Sequence, residues 1–172
     1  MTDHVLTEGD LELRPLELVD AAQWLAGEDD EQIRWFEAAG PAELSDVEAF
    51  IRRCRESWKT MGDHRYWAIR RIDSPEIVGG IDLRKLDNDA VNVSYVVFPK
   101  YRHQGIAFRA SAMVLNYAGV EMGAKVAVFK MLPENVRSRS VAIRLGAEFS
   151  GEVPSNGGAT FQVFKLGILR GK

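Results

Sequence analysis

The sequence contains a single cysteine, Cys54, among its 172 residues, so it cannot form an intrachain disulfide. Disulfides persist in oxidising compartments, and their absence favours a cytoplasmic location. Cys54 follows Val47, Phe50 and Ile51 on one helical face, which predicts a buried thiol in the core rather than a reactive one.

Long hydrophobic runs are also missing. No stretch approaches the ~18 uninterrupted apolar residues that a membrane-spanning helix needs. The opening residues, MTDHVLTEGD, lack the basic and then apolar pattern of a signal peptide. We therefore expect neither a secretion signal nor a membrane partner.

The chain has no excess of basic charge and few histidines. Its net charge of −3 and pI near 5.7 exclude the basic footprint that is typical of nucleic-acid-binding domains. His4, His64 and His103 are scattered without metal-ligand spacing, so no metal site is predicted. With 46% hydrophobic and 27% charged residues, the composition fits one globular domain over residues 1–172.

The pattern of apolar residues predicts an alternation of strands and helices. Residues 10–18, DLELRPLEL, alternate apolar and polar side chains as far as Pro15, which predicts an edge strand. Two short helices follow, one from Asp20 and one within 27–41, and then a helix from Ser45 to about Gly62, in which Glu48 completes a capping box. Three strands are predicted next, at 64–72, 76–86 and 90–99. The remaining elements are a long helix over 105–122, a strand over 125–132, a helix over 135–146, and two closing strands, around Phe149 and over 160–169. This order predicts a mixed, partly antiparallel sheet with helices on its faces.

Residues 101–111, YRHQGIAFRAS, form a basic, glycine-containing segment that leads from a predicted strand into a helix. A helix start has backbone N–H groups without partners, and its dipole adds roughly half a positive charge. Gly105 and Ala107 leave room for a ligand to approach the backbone, while Arg102 and Arg109 add positive charge. The segment is predicted to bind a phosphate group, although it has neither GxGxxG nor the Walker pattern GxxxxGK[ST].

Residues 102–107, RHQGIA, resemble the R/Q-x-x-G-x-G/A pyrophosphate motif of the GNAT N-acetyltransferase superfamily. The motif opens the long helix after the last of three successive strands, as it does in that family. Downstream, Asn135-x-x-Ser138 followed by Leu145-Gly146 resembles the N-x-x-S…L-G segment of the family. The opening LELRPLELVDA and the closing FQVFKLGI are similar to RimJ/RimL-like members. The resemblance thus covers nearly the whole chain.

The resemblance implies an α/β fold of the α+β type, with a GNAT-like mixed, largely antiparallel twisted sheet of about seven strands and helices on both faces. It implies acetyl-CoA as co-substrate and no metal. The pyrophosphate would lie on the backbone amides of residues 103–107. Strand 90–99 would splay from strand 125–132 and pair with the pantetheine arm. The residues placed against the cofactor are Tyr95, Val96, Val97, Phe98, Arg102, His103, Gln104, Gly105, Ile106, Ala107, Phe108, Arg109, Asn135 and Ser138.

The expected leaving-group chemistry departs from the commonest pattern of the family. Many relatives use a tyrosine on the helix after strand 125–132, and the matching residue here is Ala142. The resemblance to RimL-like members places Ser138 in this role, where its hydroxyl would stabilise the leaving sulfur. A backbone N–H of Val96 or Val97 would bind the oxyanion. Plain helix capping is the alternative for Asn135, and an ordinary first-turn polar residue is the alternative for Ser138.

The sequence does not single out one residue as the general base. Asn92 stands where RimJ/RimL-like members often carry a glutamate, and an amide can hold a water but cannot accept a proton at neutral pH. Asp82 and Glu31 are the other candidates, and Asp82 equally suits a surface ion pair with Arg84 or Arg102. A chain of waters could also carry the proton.

The acceptor is expected to contact Glu31, Trp35 and Phe36. The acidic run at 28–31, with these aromatics and Trp24, would suit a cationic amine, although the same residues fit a solvated helix start with its aromatics in the core.

We therefore predict a monomeric or homodimeric enzyme that moves an acetyl group from acetyl-CoA directly to a protein N-terminal amine or a small-molecule amine. The absence of G-x-S-x-G disfavours an acyl-enzyme. A catalytically silent acyl-CoA-binding sensor or scaffold is the alternative, favoured by Ala142 and Asn92.

Overall fold

The computed structural model describes residues 4–168, and within them the chain forms eight strands and five α-helices. The strands are β1 (Leu6–Glu8), β2 (Leu11–Pro15), β3 (His64–Arg71), β4 (Ile77–Lys85), β5 (Ala90–Val97), β6 (Val126–Met131), β7 (Glu148–Pro154) and β8 (Thr160–Gly167). The helices are α1 (Ala21–Ala26), α2 (Asp30–Trp35), α3 (Leu44–Lys59), α4 (Ile106–Glu121) and α5 (Val136–Arg144). Residue 169 of the last predicted strand, and both ends of the predicted 1–172 domain, lie outside the described residues.

All eight strands join one sheet in the order β1-β2-β3-β4-β5-β6-β8-β7. Every neighbouring pair is antiparallel except β5 and β6, which are parallel. The predicted mixed, largely antiparallel sheet is confirmed, with eight strands where about seven were expected. The prediction of an edge strand at 10–18 was wrong, because β1 pairs with the outer side of β2.

Two apolar cores cover the two faces of this sheet. On one face, Trp67, Ile81 and Leu83 from β3 and β4 are fully buried in a cluster with Val114 of α4. On the opposite face, Trp24 of α1 is buried in a second cluster with residues of α3. Helices therefore lie on both faces, as predicted. Cys54 of α3 is 2% exposed, which confirms the core thiol, and burial raises its pKa to about 12.

Two predicted helix starts need correction. Helix α3 begins at Leu44, and its capping box joins Glu43 to Asp46 rather than Ser45 to Glu48, because the Glu43 N–H donates to the Asp46 carboxylate at 2.9 Å. Asp20 precedes α1 but does not cap it with its side chain. Its carboxylate instead accepts from the N–H of Glu17 and pairs with Arg70.

The long helix α4 agrees with its predicted range of 105–122. Gly105 is its N-cap residue, with a left-handed φ of 72°, and Gly123 lies just past its C-terminal end with a φ of 67°. Glycine adopts this conformation without the steric penalty of a Cβ. Among residues 4–168, no helix combines the length and apolarity needed to cross a membrane.

Candidate active site

The sheet opens in its middle, between β5 and β6. These parallel strands pair over only three residue pairs, from Ala90↔Val126 to Asn92↔Val128. Beyond them, β5 continues to Val97 while remaining paired with β4 on its other side. One edge of β5 therefore faces a gap, and its backbone groups there need partners from elsewhere.

The alternation of an antiparallel ladder decides which backbone groups face this gap. The N–H of Phe98 donates to the Val78 carbonyl of β4 at 2.9 Å. Because hydrogen-bonding direction alternates along a strand, the N–H of Val96 also points to β4, whereas those of Tyr95 and Val97 point into the gap. The carbonyl of Val97 accepts from Nε of Arg102 at 2.9 Å.

The turn after β5 exposes the start of α4. His103 and Gly105 have φ values of 63° and 72°, both in the left-handed region. A Cβ placed on Gly105 would meet no atom within 4 Å, so this glycine borders open space. The turn thus presents free amides and the positive end of a 16-residue helix to the cavity.

A cavity of about 720 Å³ runs from this turn along the gap between β5 and β6. It brings together most residues that the sequence predicted for the cofactor, namely Tyr95, Val96, Val97, Arg102, His103, Gly105, Ile106, Ala107, Phe108, Asn135 and Ser138. It also contains the other predicted site residues, Asp82, Asn92, Glu31, Trp35 and Phe36. Segments far apart in sequence therefore meet in one cavity.

Three residues predicted to contact the cofactor lie outside the cavity lining. Phe98 packs into the second core cluster against Trp24, with ring centroids 5.3 Å apart. The guanidinium of Arg109 donates to Asp10 at 2.8 Å, and Gln104 accepts from Arg71 at 2.7 Å. The side chains of Gln104 and Arg109 are thus held by partners on the outer side of the turn, away from a ligand in the cavity.

Arg102 connects the turn to α2. Its guanidinium donates to both carboxylate oxygens of Asp29, at 2.8 and 2.9 Å, and to Glu31 at 2.5 Å. Glu31 also pairs with Arg137 of α5 at 3.0 Å. The hydrogen bond from Arg102 lowers the pKa of the Asp29 carboxyl. We name these four residues the acidic–arginine strap, since they link α2, the turn and α5 across the cavity.

The strap changes the interpretation of the acidic run at 28–31. Asp29 and Glu31 are already paired with guanidinium groups, and Glu28 accepts from the N–H of Ala42 at 3.2 Å. These carboxylates are therefore engaged within the protein. Trp24 is buried in the core, whereas Phe36 is 51% exposed at the cavity.

Asn135 and Ser138 lie at the start of α5. The Asn135 side chain caps the helix by accepting from the Ser138 N–H at 3.1 Å, and Asn135 lines the cavity as well. The capping interpretation is therefore confirmed without removing Asn135 from the cavity. Ala142, on the next turn of the helix, is fully buried. The hydroxyl of Tyr95 lies beside Ser138, and burial raises the pKa of this phenol to about 12.

A set of polar side chains lies on the sheet face that α1 and α3 cover. Asp82 is only 7% exposed, and its carboxylate lies 2.6 Å from Nε2 of His64 on the adjacent strand. The expected surface ion pair of Asp82 with Arg84 or Arg102 was wrong, because the carboxylate is buried against His64. Across the sheet, Asp82 is opposite Ser94 of β5.

Two more polar residues flank this pair. Asn92 donates to the Ser94 hydroxyl at 2.9 Å. Tyr66, opposite Asp82 on β3, has its pKa raised well above the ordinary value by burial and then by the Asp82 charge.

Sequence reasoning missed His64 as a member of this site. A usable signal was present, since polar residues alternate with apolar ones on three successive strands: His64 and Tyr66, Asp82 and Arg84, Asn92 and Ser94. Period-two polar residues on neighbouring strands share a face of the sheet. Within residues 4–168, no cluster of three or more His, Cys, Asp or Glu side chains could hold a metal ion.

Comparison with known proteins agrees with this architecture. A sequence model of the acetyltransferase (GNAT) domain matches residues 10–148. No curated protein matches the sequence significantly.

Solved structures with the same fold include several acetyltransferases. One is RimL, a ribosomal L7/L12 alpha-N-protein acetyltransferase in complex with coenzyme A, at 14% identity and a TM-score of 0.84 over 96% of this chain and 98% of that one. Mycobacterium smegmatis RimJ, in complex with CoA-disulfide, has 19% identity and a TM-score of 0.83 over 96% and 88%. The microcin C7 self-immunity acetyltransferase MccE, in complex with acetyl-CoA and AMP, has 18% identity and a TM-score of 0.80 over 94% of each chain. The predicted RimJ/RimL-like fold is confirmed.

Proposed function

The chain belongs to the GNAT acetyltransferase family, whose members are acetyl-CoA-dependent acyltransferases, and from this we propose that it transfers the acetyl group directly to a primary amine. The acceptor is either a protein N-terminal α-amine or the amine of a small molecule. The proposal rests on one observation above all, the gap between β5 and β6 beside an open helix start. We further propose a cytoplasmic enzyme in which residues 1–172 form one domain.

The donor fits this cavity in two ways. The free amides of residues 103–107 and the N-terminal end of α4 suit a diphosphate. The edge of β5 suits an extended amide-bearing arm, which can pair with the gap-facing backbone groups of Tyr95 as a neighbouring strand would. Arg144 also lines the cavity and gives this end positive charge, whereas the charge of Arg137 is paired with Glu31. Arg102 contributes indirectly, because it donates to the Val97 carbonyl and pairs with Asp29 in the strap.

Acetyl transfer needs a neutral amine and a donor for the oxyanion. A lysine amine has a pKa of ~10.4 and an α-amine ~8, so either must lose a proton to react at neutral pH. The N–H of Val97 is the better candidate for the oxyanion, because the N–H of Val96 points to β4. In a site shielded from water, one such donor contributes roughly 3 kcal/mol to transition-state stabilisation.

Asp82 is our candidate for the group that accepts the amine proton. It is the buried carboxylate of the cavity, and His64 contacts one of its oxygens at 2.6 Å. His64 is 26% exposed at its side chain, so it connects the carboxylate with solvent. Asn92 and Ser94 lie beside Asp82 and can hold the amine or a water in place.

The acceptor would enter past α2. Trp35 and Phe36 line this end, and aromatic faces attract ammonium groups by roughly 0.5–1 kcal/mol at exposed sites. Glu31 sits among them, but its charge is shared by two guanidinium groups. We therefore expect selection of the acceptor to depend more on aromatic contacts than on the charge of Glu31.

Calorimetry with coenzyme A, followed by thiol-release assays, tests the proposal. Acetyl-CoA would be offered with a panel of N-terminal peptides and small-molecule amines, and we expect binding together with thiol release for at least one acceptor. Absence of binding by CoA and acetyl-CoA would contradict the proposal. Binding without thiol release from any acceptor would favour the silent acyl-CoA-binding module instead.

A further inference from the structure

The side chain of Tyr95 has no role in the backbone pairing described above. Its hydroxyl is buried and has no hydrogen bond of regular geometry, although the Ser138 hydroxyl lies next to it. Buried hydroxyl groups in folded proteins nearly always have a partner. Because Tyr95 also lines the cavity, a ligand that lies against this side chain can supply the missing partner.

The position of this hydroxyl fits the reacting end of the donor. Tyr95 is on the stretch of β5 that has left β6, so its side chain stands beside the gap. It packs against the same core cluster as Ala142, whose methyl group leaves α5 without a phenol. The structure thus offers a phenol from β5 in the region where the family resemblance led us to expect one from α5.

We propose that the Tyr95 hydroxyl donates a hydrogen bond to the sulfur atom that leaves during acetyl transfer, with the Ser138 hydroxyl as a second donor. This inference rests on the proposed function and adds a residue to it. The amine nitrogen forms the new C–N bond, the C–S bond breaks, and its electron pair departs on sulfur. The amine proton passes to Asp82 or to water.

The phenol acts as a donor that keeps its proton. Burial raises the pKa of Tyr95 to about 12, whereas an ordinary thiol has a pKa of ~8.5. Complete transfer of the phenol proton to the thiolate is therefore disfavoured by roughly three orders of magnitude. A hydrogen bond to the thiolate requires no such transfer, and the raised pKa keeps the donor protonated throughout the neutral range.

The test compares the wild type with Tyr95→Phe by titrating the thiol of bound coenzyme A. Thiolate absorbance is recorded between about pH 6 and 10.5 as the difference between complexes with CoA and with desulfo-CoA. The lone cysteine stays silent in this range, because burial raises the pKa of Cys54 to about 12. We expect the bound thiol to titrate about 1–2 pH units higher in Tyr95→Phe, as for loss of one hydrogen bond to a charged group.

Kinetics with any acceptor found in the screen give a second readout. Turnover of Tyr95→Phe should fall about 10- to 100-fold with little change in the KM for acetyl-CoA. In the double variant Tyr95→Phe/Ser138→Ala, turnover should fall by less than the product of the two single-variant factors, because both hydroxyls donate to the same sulfur atom. The matched control is Tyr117→Phe, which removes a phenol from the core of α4, away from the cavity, and should change neither readout.

The outcomes separate this inference from the proposed function. If both proteins bind coenzyme A with the same thiol pKa and the same turnover, Tyr95 has no role at the sulfur, and the acetyltransferase proposal stands. If the wild type binds no coenzyme A, both proposals fail. Should Tyr95→Phe fail to fold, a fluorotyrosine at position 95, with a more acidic phenol, should lower the pKa of the bound thiol. An unchanged value there would also overturn the inference.

Discussion

The two ends of the cavity are built from different parts of the chain. At the α4 end, one continuous segment from Tyr95 to Ala107 supplies backbone amides, a glycine turn and a helix start. At the other end, where the acceptor is proposed to bind, the surface is made of side chains from α2, β4 and β5, with His64 of β3 behind Asp82. The first end, which we call the backbone end, depends on local conformation. The second, which we call the side-chain end, depends on strand register and helix placement. A short motif can therefore identify the first end, but it cannot identify the second.

The largest effect should come from Gly105→Glu, which attacks the backbone end alone. The new carboxylate would project into open space where the diphosphate is proposed to lie. Placing like charges together costs several kcal/mol, so affinity for CoA should fall at least ~100-fold in calorimetry.

Gly123→Glu is the matched control for this substitution. It adds the same side chain at a similar φ, 67° against 72°, also in open space, but at the other end of α4. Both variants carry the left-handed strain of about 1–2 kcal/mol, but the helix dipole favours the new carboxylate at position 105 and disfavours it at position 123, so the melting temperature of Gly123→Glu should fall at least as far. Equal CoA affinity in the two variants would contradict a pyrophosphate site at Gly105.

The next effect should come from Asp82→Asn, which attacks the side-chain end alone. The amide keeps the shape of the carboxylate but cannot accept a proton. We expect turnover to fall about 100-fold or more, with CoA affinity unchanged in calorimetry. Asp87→Asn, on the exposed turn between β4 and β5, is the control for removal of one negative charge. Normal turnover in Asp82→Asn would remove this residue from the mechanism.

The smallest effect should come from Asp29→Asn, which weakens the acidic–arginine strap between the two ends. Asparagine can still cap α2, but it loses the charge that pairs with Arg102. Because Arg102 lowers the pKa of Asp29 in the folded protein, the stabilisation is complete above the unfolded pKa of ~4 and disappears as pH falls through the folded value. At pH 7 the variant should lose about 1 kcal/mol, since the pair is partly solvated.

Thermal unfolding at several pH values measures this dependence. The melting temperature of Asp29→Asn should be about 2–4 °C below that of the wild type at pH 7, and the two should converge in strong acid. A difference that persists or grows in acid would assign the stabilisation to something other than the ion pair.

Most residues that the sequence predicted for the backbone end lie together in the structure, for a physical reason. The motif at 102–107, its glycine and the helix that follows are contiguous, so the residues that carry the pattern also form the structure. The gap between β5 and β6 followed from the family resemblance, and the three-pair ladder agrees with it. Strand β1 was missed because three residues carry too little periodicity to be recognised.

The side-chain end escaped prediction because its contacts are long-range. His64 and Asp82 are 18 residues apart, and Arg102 and Asp29 are 73 residues apart. Pairing them requires the register of β3 on β4 and the docking of α2, neither of which a local pattern encodes. The same holds for Tyr95. The sequence predicted that this residue contacts the cofactor, but it did not indicate that its hydroxyl lies beside Ser138.

The short ladder between β5 and β6 has a mechanical consequence. Strands β1 to β5 form one half of the sheet, and strands β6, β8 and β7 form the other. Within the sheet, the two halves pair through the three residue pairs of β5 and β6. A molecule lying along the open part of this seam would take the place of absent strand pairing. In that case the donor is a reactant that also contributes contacts between the two halves of the sheet. Its release at the end of each turnover removes those contacts.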